Sequence, residues 1–294
     1  MAIALLTAPA AWAGPVIVDD LGQRVELAAP ARRVIPLYSG LGEIVSAMGL
    51  GDRLVARTNV EDWPTEALAR PSIGTHMRPN MELMLGLKPD LVLQLAGRDA
   101  ALQSVEAVRN HGIPVAVFVI DDFASLFTAM ERIGILLNAK DAARQEIERI
   151  QARLAAVDKA VEGVQRPSVF FEVRYPNLLA AGTDSMVSEI IRRAGGGNVV
   201  AQGKKLVRLS EEVLVGLNPE VYLVQQGPMN PAPPHPSGRS HFRTLAAVRT
   251  GRVLMVDEAL YSRPGPRSVQ AVEELASFLH PDRFPQPSSN KDSK

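Results

Sequence analysis

The sequence predicts an α/β protein: two doubly wound α/β lobes joined by a single long α-helix. Three observations carry that expectation. Apolar residues at Ala143, Ile147, Ile150, Leu154, Val157, Val161 and Val164 alternate in steps of four and three, drawing one stripe along a helix. Strand and helix patterns alternate before that helix and restart after it, as parallel sheets require. A nine-residue segment also occurs twice, Glu82 to Asp90 and Glu212 to Glu220, at a constant offset of 130 with four of nine positions identical.

Residues 1–13 read as a signal peptide. Ala2 to Ala10 is largely apolar, and Ala11-Trp12-Ala13 before Gly14 has the small-x-small form of a cleavage site. The charged n-region is missing, since the first basic residue is Arg24, so the start is truncated or lies upstream. A buried N-terminal strand or helix is the competing reading. No later run reaches about 18 apolar residues, so no membrane span is expected.

The N-terminal lobe is expected over residues 14–137. Val16 to Leu27 reads as a hairpin turning at Asp20-Leu21-Gly22. Arg33 to Leu37 is a short strand, followed by a helix to Met48 that Gly49 and Gly51 close. Leu91–Leu95 and Val115–Ile120 are continuous apolar runs, as strands buried on both faces must be. Helices are expected over Ala100–Asn110 and Phe123–Leu137. The interlobe helix, residues 138–166, has Asn138 as its cap, Asp141 in its first turn, and Gly163 and Pro167 at its end. Such a helix spans roughly 35–40 Å. A coiled-coil dimer is the competing reading of the same stripe, disfavoured by the two similar halves on either side.

The C-terminal lobe, residues 167–284, opens with a strand over Ser168–Val173 and a helix over Ser185–Ala194 stopped by three glycines. A helix over Ser210–Leu217, strands over Val221–Val224 and Val253–Val256, and a helix over Ser268–Leu279 follow. The Pro-rich stretch Gly227–Ser240 is a loop, and residues 285–294 form a flexible tail.

Composition narrows the function. Thirty-two basic residues balance thirty-two acidic ones, which leaves no electrostatic footprint for nucleic acid or for a polybasic membrane anchor. With no cysteine, disulfides, thiolate metal sites and a lipid anchor on cysteine are excluded, so an exported, soluble, unanchored periplasmic protein is expected. There is no Gly-rich phosphate loop, no Gly-x-Ser-x-Gly elbow and no His-Glu-x-x-His. No His/Asp/Glu cluster has the spacing of a closed metal cage.

The order and spacing of these segments carry a resemblance. Asp20 to Arg24, Arg33 to Leu37, Ala47 to Val55, Ile73-Gly74, Asn80-Met81-Glu82 running into Leu87 to Val92, Arg263 to Arg267, and Leu279-His280-Pro281 together make the chain similar to the substrate-binding proteins of ABC importers for iron complexes and cobalamin, the helix-linked class III type. The resemblance implies a ligand cleft between the lobes, a monomer that moves little on closing, no enzymatic activity and no resident cofactor. It also implies docking on the ABC permease through Glu82 and Glu212. A carboxylate two residues past a helix cap equally serves the helix N-terminus.

Ligands of open parallel sheets bind beyond the C-terminal strand ends. Tyr38, His76, Met77, Arg78, Arg98, Arg174, Tyr175, Tyr261 and Arg263 stand at such positions, with Ser39, Gln94, Glu172, Gln225 and Gln226 beside them. The arginines point to an anionic ligand, because guanidinium binds carboxylates, catecholates and oxyanions bidentately. A ferric siderophore is therefore the first expectation. Haem, a corrinoid, and a bare oxyanion or metal ion follow. His76 is the candidate metal ligand, and His235 and His241 flank the Pro-rich loop. A two-lobed metallochelatase-like enzyme using His76 is the alternative of another class.

Overall fold

The computed structural model describes residues 14–59, 63–97 and 99–284. The expected signal peptide, the tail and Arg98 lie outside the described residues. The chain opens with β1 (Val16–Val18) and β2 (Arg24–Glu26), an antiparallel pair whose turn is held by Asp19 Oδ1, which accepts the N–H groups of Leu21 and Gln23 at 3.0 and 2.9 Å. Then follow β3 (Val34–Pro36), α1 (Ser39–Ala47), α2 (Thr65–Leu68), the short pair β4 (Gly74–Thr75) and β5 (Arg78–Pro79), and α3 (Met81–Gly86). The lobe ends with β6 (Leu91–Leu95), α4 (Asp99–Arg109), β7 (Val115–Phe118) and α5 (Phe123–Leu136). Its sheet runs β3-β6-β7, all parallel.

After α6 (Lys140–Ala160) come β8 (Ser168–Arg174), β9 (Leu179–Ala181), α7 (Met186–Arg193), β10 (Gly197–Asn198), β11 (Leu206–Arg208), α8 (Glu211–Leu217) and β12 (Val221–Gln226). Helix α9 (Ala246–Arg249), β13 (Val253–Asp257), α10 (Glu258–Tyr261) and α11 (Ser268–Leu279) complete the chain. The second sheet runs β11-β9-β8-β12-β13, with β10 also on β8. Strands β8, β12 and β13 are parallel and repeat the β3-β6-β7 arrangement.

The strands read as unbroken apolar runs because each sheet has a core on both faces, and neighbouring residues enter different cores. Val34, Leu91, Leu93, Ala116 and Phe118 point into a central core, while Ile35, Val92, Val115 and Val117 point into a core private to the first lobe. Likewise Val169, Phe171, Val221 and Leu223 share the central core, and Phe170, Tyr222 and Val224 enter one private to the second lobe. The nine-residue echo has a structural basis in this frame. Each copy lies on a helix capped by the polar residue two positions before it, since Asn80 Oδ1 accepts from Leu83 N–H at 3.0 Å and Ser210 Oγ from Val213 N–H at 3.3 Å. Each ends in a carboxylate that seats the neighbouring strand: Asp90 accepts the N–H groups of Arg32 and Arg33, and Glu220 accepts the backbone N–H and the hydroxyl of Ser168.

Helix α6 buries Ala143, Ile147, Ile150, Leu154 and Val157 in the central core, against α5, α7 and α11. The stripe expected of a helix is thus covered within one chain. Its start differs from expectation. Asn138 is not the cap: it adopts a left-handed conformation (φ 51°) just past α5, where Asn tolerates what bulkier side chains do not, and Ala139 caps α6 without a side-chain bond. With 21 residues the helix is about 30 Å long, shorter than expected.

The lobes also meet directly. A Cβ on Gly40 would stand 2.0 Å from the Pro264 carbonyl oxygen, so α1 and the loop before α11 are in backbone contact that only glycine permits. Beside it, Arg267 Nη2 donates to Glu43 Oε1 at 2.7 Å, and Glu43 is buried.

Candidate ligand-binding cleft

The two sheets present their C-terminal strand ends to a shared cleft of about 530 Å³. The first lobe contributes Tyr38 after β3, His76 and Met77 from the β4–β5 turn, Leu95 to Gly97 after β6, and Ile120 and Asp121 after β7. The second contributes Val173 and Arg174 at the end of β8, Met186 at the start of α7, Lys205 and Leu206 at β11, and Met229 and Ser262 beyond β12 and β13. The walls are largely apolar, with methionines from both lobes.

The polar groups are few and firmly placed. The His76 carbonyl accepts from Gln94 Nε2 at 3.1 Å and from Ser104 Oγ at 3.3 Å, so a buried amide fixes the turn that carries His76 and Met77. The Tyr38 and His76 rings meet edge to face, 5.7 Å between centroids. Burial pushes the Tyr38 phenol up to about 12, with Arg263 opposing and Glu258 adding to the shift. Tyr38 therefore stays a neutral hydroxyl at physiological pH. Across the cleft, Arg174 lines the wall and its Nε has no hydrogen-bond partner.

Four expected ligand residues do not border the cleft. Arg78 is exposed on the β4–β5 pair, where its N–H donates to Thr75 Oγ1 at 3.2 Å. The Tyr175 ring packs under the Arg239 guanidinium, 3.8 Å from its carbon, and edge-on against Phe242, while its hydroxyl donates to Glu211 Oε1 at 3.2 Å. Tyr261 is wholly buried against Phe171, and burial beside the Glu274 carboxylate raises its phenol. Arg263 is buried below the cleft, Nη2 3.5 Å from Glu258 Oε1. Strand-end position places a loop correctly but does not say which way its side chains turn. Among their neighbours, Glu172 and Gln225 are buried and Gln226 is exposed. His235 bonds Ser237, and the His241 Nδ1 lies 2.8 Å from Glu211 Oε2, both outside the cleft lining.

Asp121, Lys205, Met186 and Met229 escaped the sequence reading. The strand-end rule, extended past Val115–Ile120, reaches Asp121; nothing in the pattern around Lys205 marks it. Among the described residues no group of three or more His, Cys, Asp or Glu could hold a metal ion. Glu82 and Glu212 are both exposed in the first turns of α3 and α8. Hydrogen bonds from the Ser210 hydroxyl and from its own backbone N–H hold the Glu212 carboxyl below the usual range.

The model of a family described as periplasmic binding protein matches residues 34–274. An uncharacterized ABC transporter substrate-binding lipoprotein of Bacillus subtilis, YvrC, is 30% identical over 277 residues, 92% of this chain and 87% of its own. A vitamin B12-binding protein of Vibrio cholerae is 25% identical over 259 residues, covering 85% of this chain and 90% of that one. Among solved structures, the periplasmic heme-binding protein BhuT in complex with two hemes superposes with a TM-score of 0.75 at 27% identity, over 85% of this chain and 98% of BhuT.

Proposed function

The chain belongs to the periplasmic binding protein family, and from that premise we propose that it captures a metal tetrapyrrole, haem or a corrinoid, between its lobes and delivers it to the permease of an ABC importer. Its relatives are substrate-binding transport proteins and not enzymes, which removes the chelatase alternative. Among the described residues no helix is long and apolar enough to cross a membrane.

The observation that carries the ligand class is the cleft's lining. Of the three described candidate arginines only Arg174 faces it, and the other lining cation, Lys205, is paired with Asp121; the rest of the surface is largely aliphatic, with methionines, two serines and the Tyr38–His76 pair. A multiply anionic ferric siderophore calls for a cluster of cations. A bulky macrocycle with a mostly apolar face and few polar substituents fits such walls better. A bare oxyanion or metal ion would leave most of about 530 Å³ unfilled. The B12- and heme-binding relatives support the same class. Tyr38 and His76 would then offer the lining groups able to contact the metal of such a ligand, and Arg174 a partner for a ligand carboxylate.

Glu82 and Glu212 dock on the permease. The internal repeat sets them at equivalent positions of two capped helices, exposed and charged. A single copy of the chain does this work, because the stripe of α6 that would seed a coiled coil is covered by α5, α7 and α11. Absorbance titration of the purified protein with haem, cyanocobalamin and a ferric catecholate tests the ligand class. A shifted Soret or corrin band at stoichiometric loading is the expected result. Saturable binding of the catecholate alone would move the ligand to the siderophore class.

A further inference from the structure

An ion pair joins the two lobes across the lining of the cleft. Lys205 Nζ lies 2.5 Å from Asp121 Oδ1, joining the second lobe to the first, and both residues line the cleft. Their side chains retain 49% and 31% of their exposure, so solvent screens the pair and it is weakly held. The backbone beneath Lys205 is held by hydrogen bonds and close packing. Its carbonyl accepts from Gly182 N–H at 3.1 Å, Gln202 O accepts from Thr183 N–H at 3.0 Å, and Gly182 leaves no room for a side chain against Lys204 O. A fixed base thus carries a movable ammonium.

Asp121 has a second place to rest. It precedes the Asp122 cap of α5, a 14-residue helix, and its own N–H already donates to Ser125 Oγ at 3.0 Å. A carboxylate released from Lys205 remains beside the positive end of that helix. Lys205 and Arg174 are the Lys or Arg side chains lining the cleft among the described residues.

We propose that the Asp121–Lys205 contact is an exchangeable interlobe latch: a ligand carboxylate takes Lys205 from Asp121, so that Lys205 and Arg174 together select ligands with two acidic substituents. This rests on the tetrapyrrole reading for the ligand's identity, though the latch itself does not. It places haem, with two carboxylates, ahead of an uncharged-rim macrocycle.

The test uses the intact chain, with haem and haem dimethyl ester as probes and spin labels on the exposed residues Arg144 and Glu148 avoided in favour of one label per lobe at Glu106 and Arg208. Lys205→Ala is expected to weaken haem binding about tenfold, the equivalent of one charge-assisted contact, and to leave the diester unchanged. Asp121→Asn removes the competitor and tightens haem a few-fold. Without ligand, Lys205→Ala, or wild type in high salt, broadens the interlobe distance distribution. Haem affinities of both variants equal to wild type would overturn the selectivity. An unchanged distance distribution would overturn the latch. If wild type binds no haem, the tetrapyrrole reading and the selectivity fall together, and the ligand-free distances alone decide the latch.

Discussion

Glu172 and Arg239 form an ion pair withdrawn from solvent on both sides, with 0% and 4% of their side chains exposed. Arg239 Nη2 donates to Glu172 Oε1 at 2.9 Å, and the other carboxylate oxygen accepts from the Tyr222 hydroxyl at 2.6 Å. The pair ties the Pro-rich loop to β8, and Asn230 Nδ2 extends the tie to the Gln225 carbonyl at 2.8 Å. Removing one partner strands the other charge in a dry site. Arg239→Met is expected to cost about 3–5 kcal/mol in chemical denaturation, whereas Glu172→Leu combined with Arg239→Met costs much less, because no charge is then left buried.

Charge reversal at the docking positions separates delivery from capture. Glu82→Lys with Glu212→Lys should abolish ligand-dependent uptake in reconstituted vesicles while the ligand affinity of the isolated protein stays within twofold of wild type. The single variants should fall between. Loss of affinity would mean that these carboxylates serve the fold of α3 and α8 instead.

All four tyrosines are pushed above the ordinary phenol range, chiefly by burial. Folding therefore favours the protonated phenol. The contribution is intact below about 10 and is lost as pH rises through the folded-state values, about 12 for Tyr38. Phenolate absorbance followed from neutral to alkaline pH should show no ionisation near 10 from Tyr38, Tyr222 and Tyr261, then a steep rise as the chain unfolds. Ordinary titration near 10 of Tyr38, Tyr222 or Tyr261 in the folded protein would contradict the burial of these three rings.

The close approach of Gly40 to Pro264 predicts how rigid the lobes are. Gly40→Ala places a methyl 2.0 Å from the carbonyl oxygen, so the lobes must part or the loop must shift. Small-angle scattering should show a larger radius of gyration for this variant than for wild type, with weaker ligand binding. Wild type itself should contract little on loading, since both α6 and the Arg267–Glu43 contact hold the lobes together.

Much of the architecture was legible because its signals are local and redundant. The α11 bounds, the twin helix–Pro–strand units and the buried strands all follow from periodicity and capping. The site was less legible. Tyr38, His76, Met77 and Arg174 do line the cleft, but Tyr175 and Tyr261 turn into the second lobe and Arg263 is buried beside Glu258. A register shift between Glu172 and Arg174 breaks the alternation at the end of β8, so Val173 and Arg174 both face the cleft while Glu172 lies beneath it. Such a bulge depends on the partner strand and leaves no trace in one segment read alone. Lys205 is recognisable only through Asp121, and the two are brought together by the packing of separate lobes.

The central core has a consequence for how the molecule comes apart. Its members run without interruption from Val34 through Ile150 and Leu154 to Phe171 and Leu275, crossing both sheets and the helix between them. Neither half owns enough of that interior to survive alone, so heating should melt the chain in one cooperative step, and a cut made anywhere along α6 should yield two fragments that aggregate rather than two working modules. An architecture that looks duplicated should thus behave, on heating, as one unit.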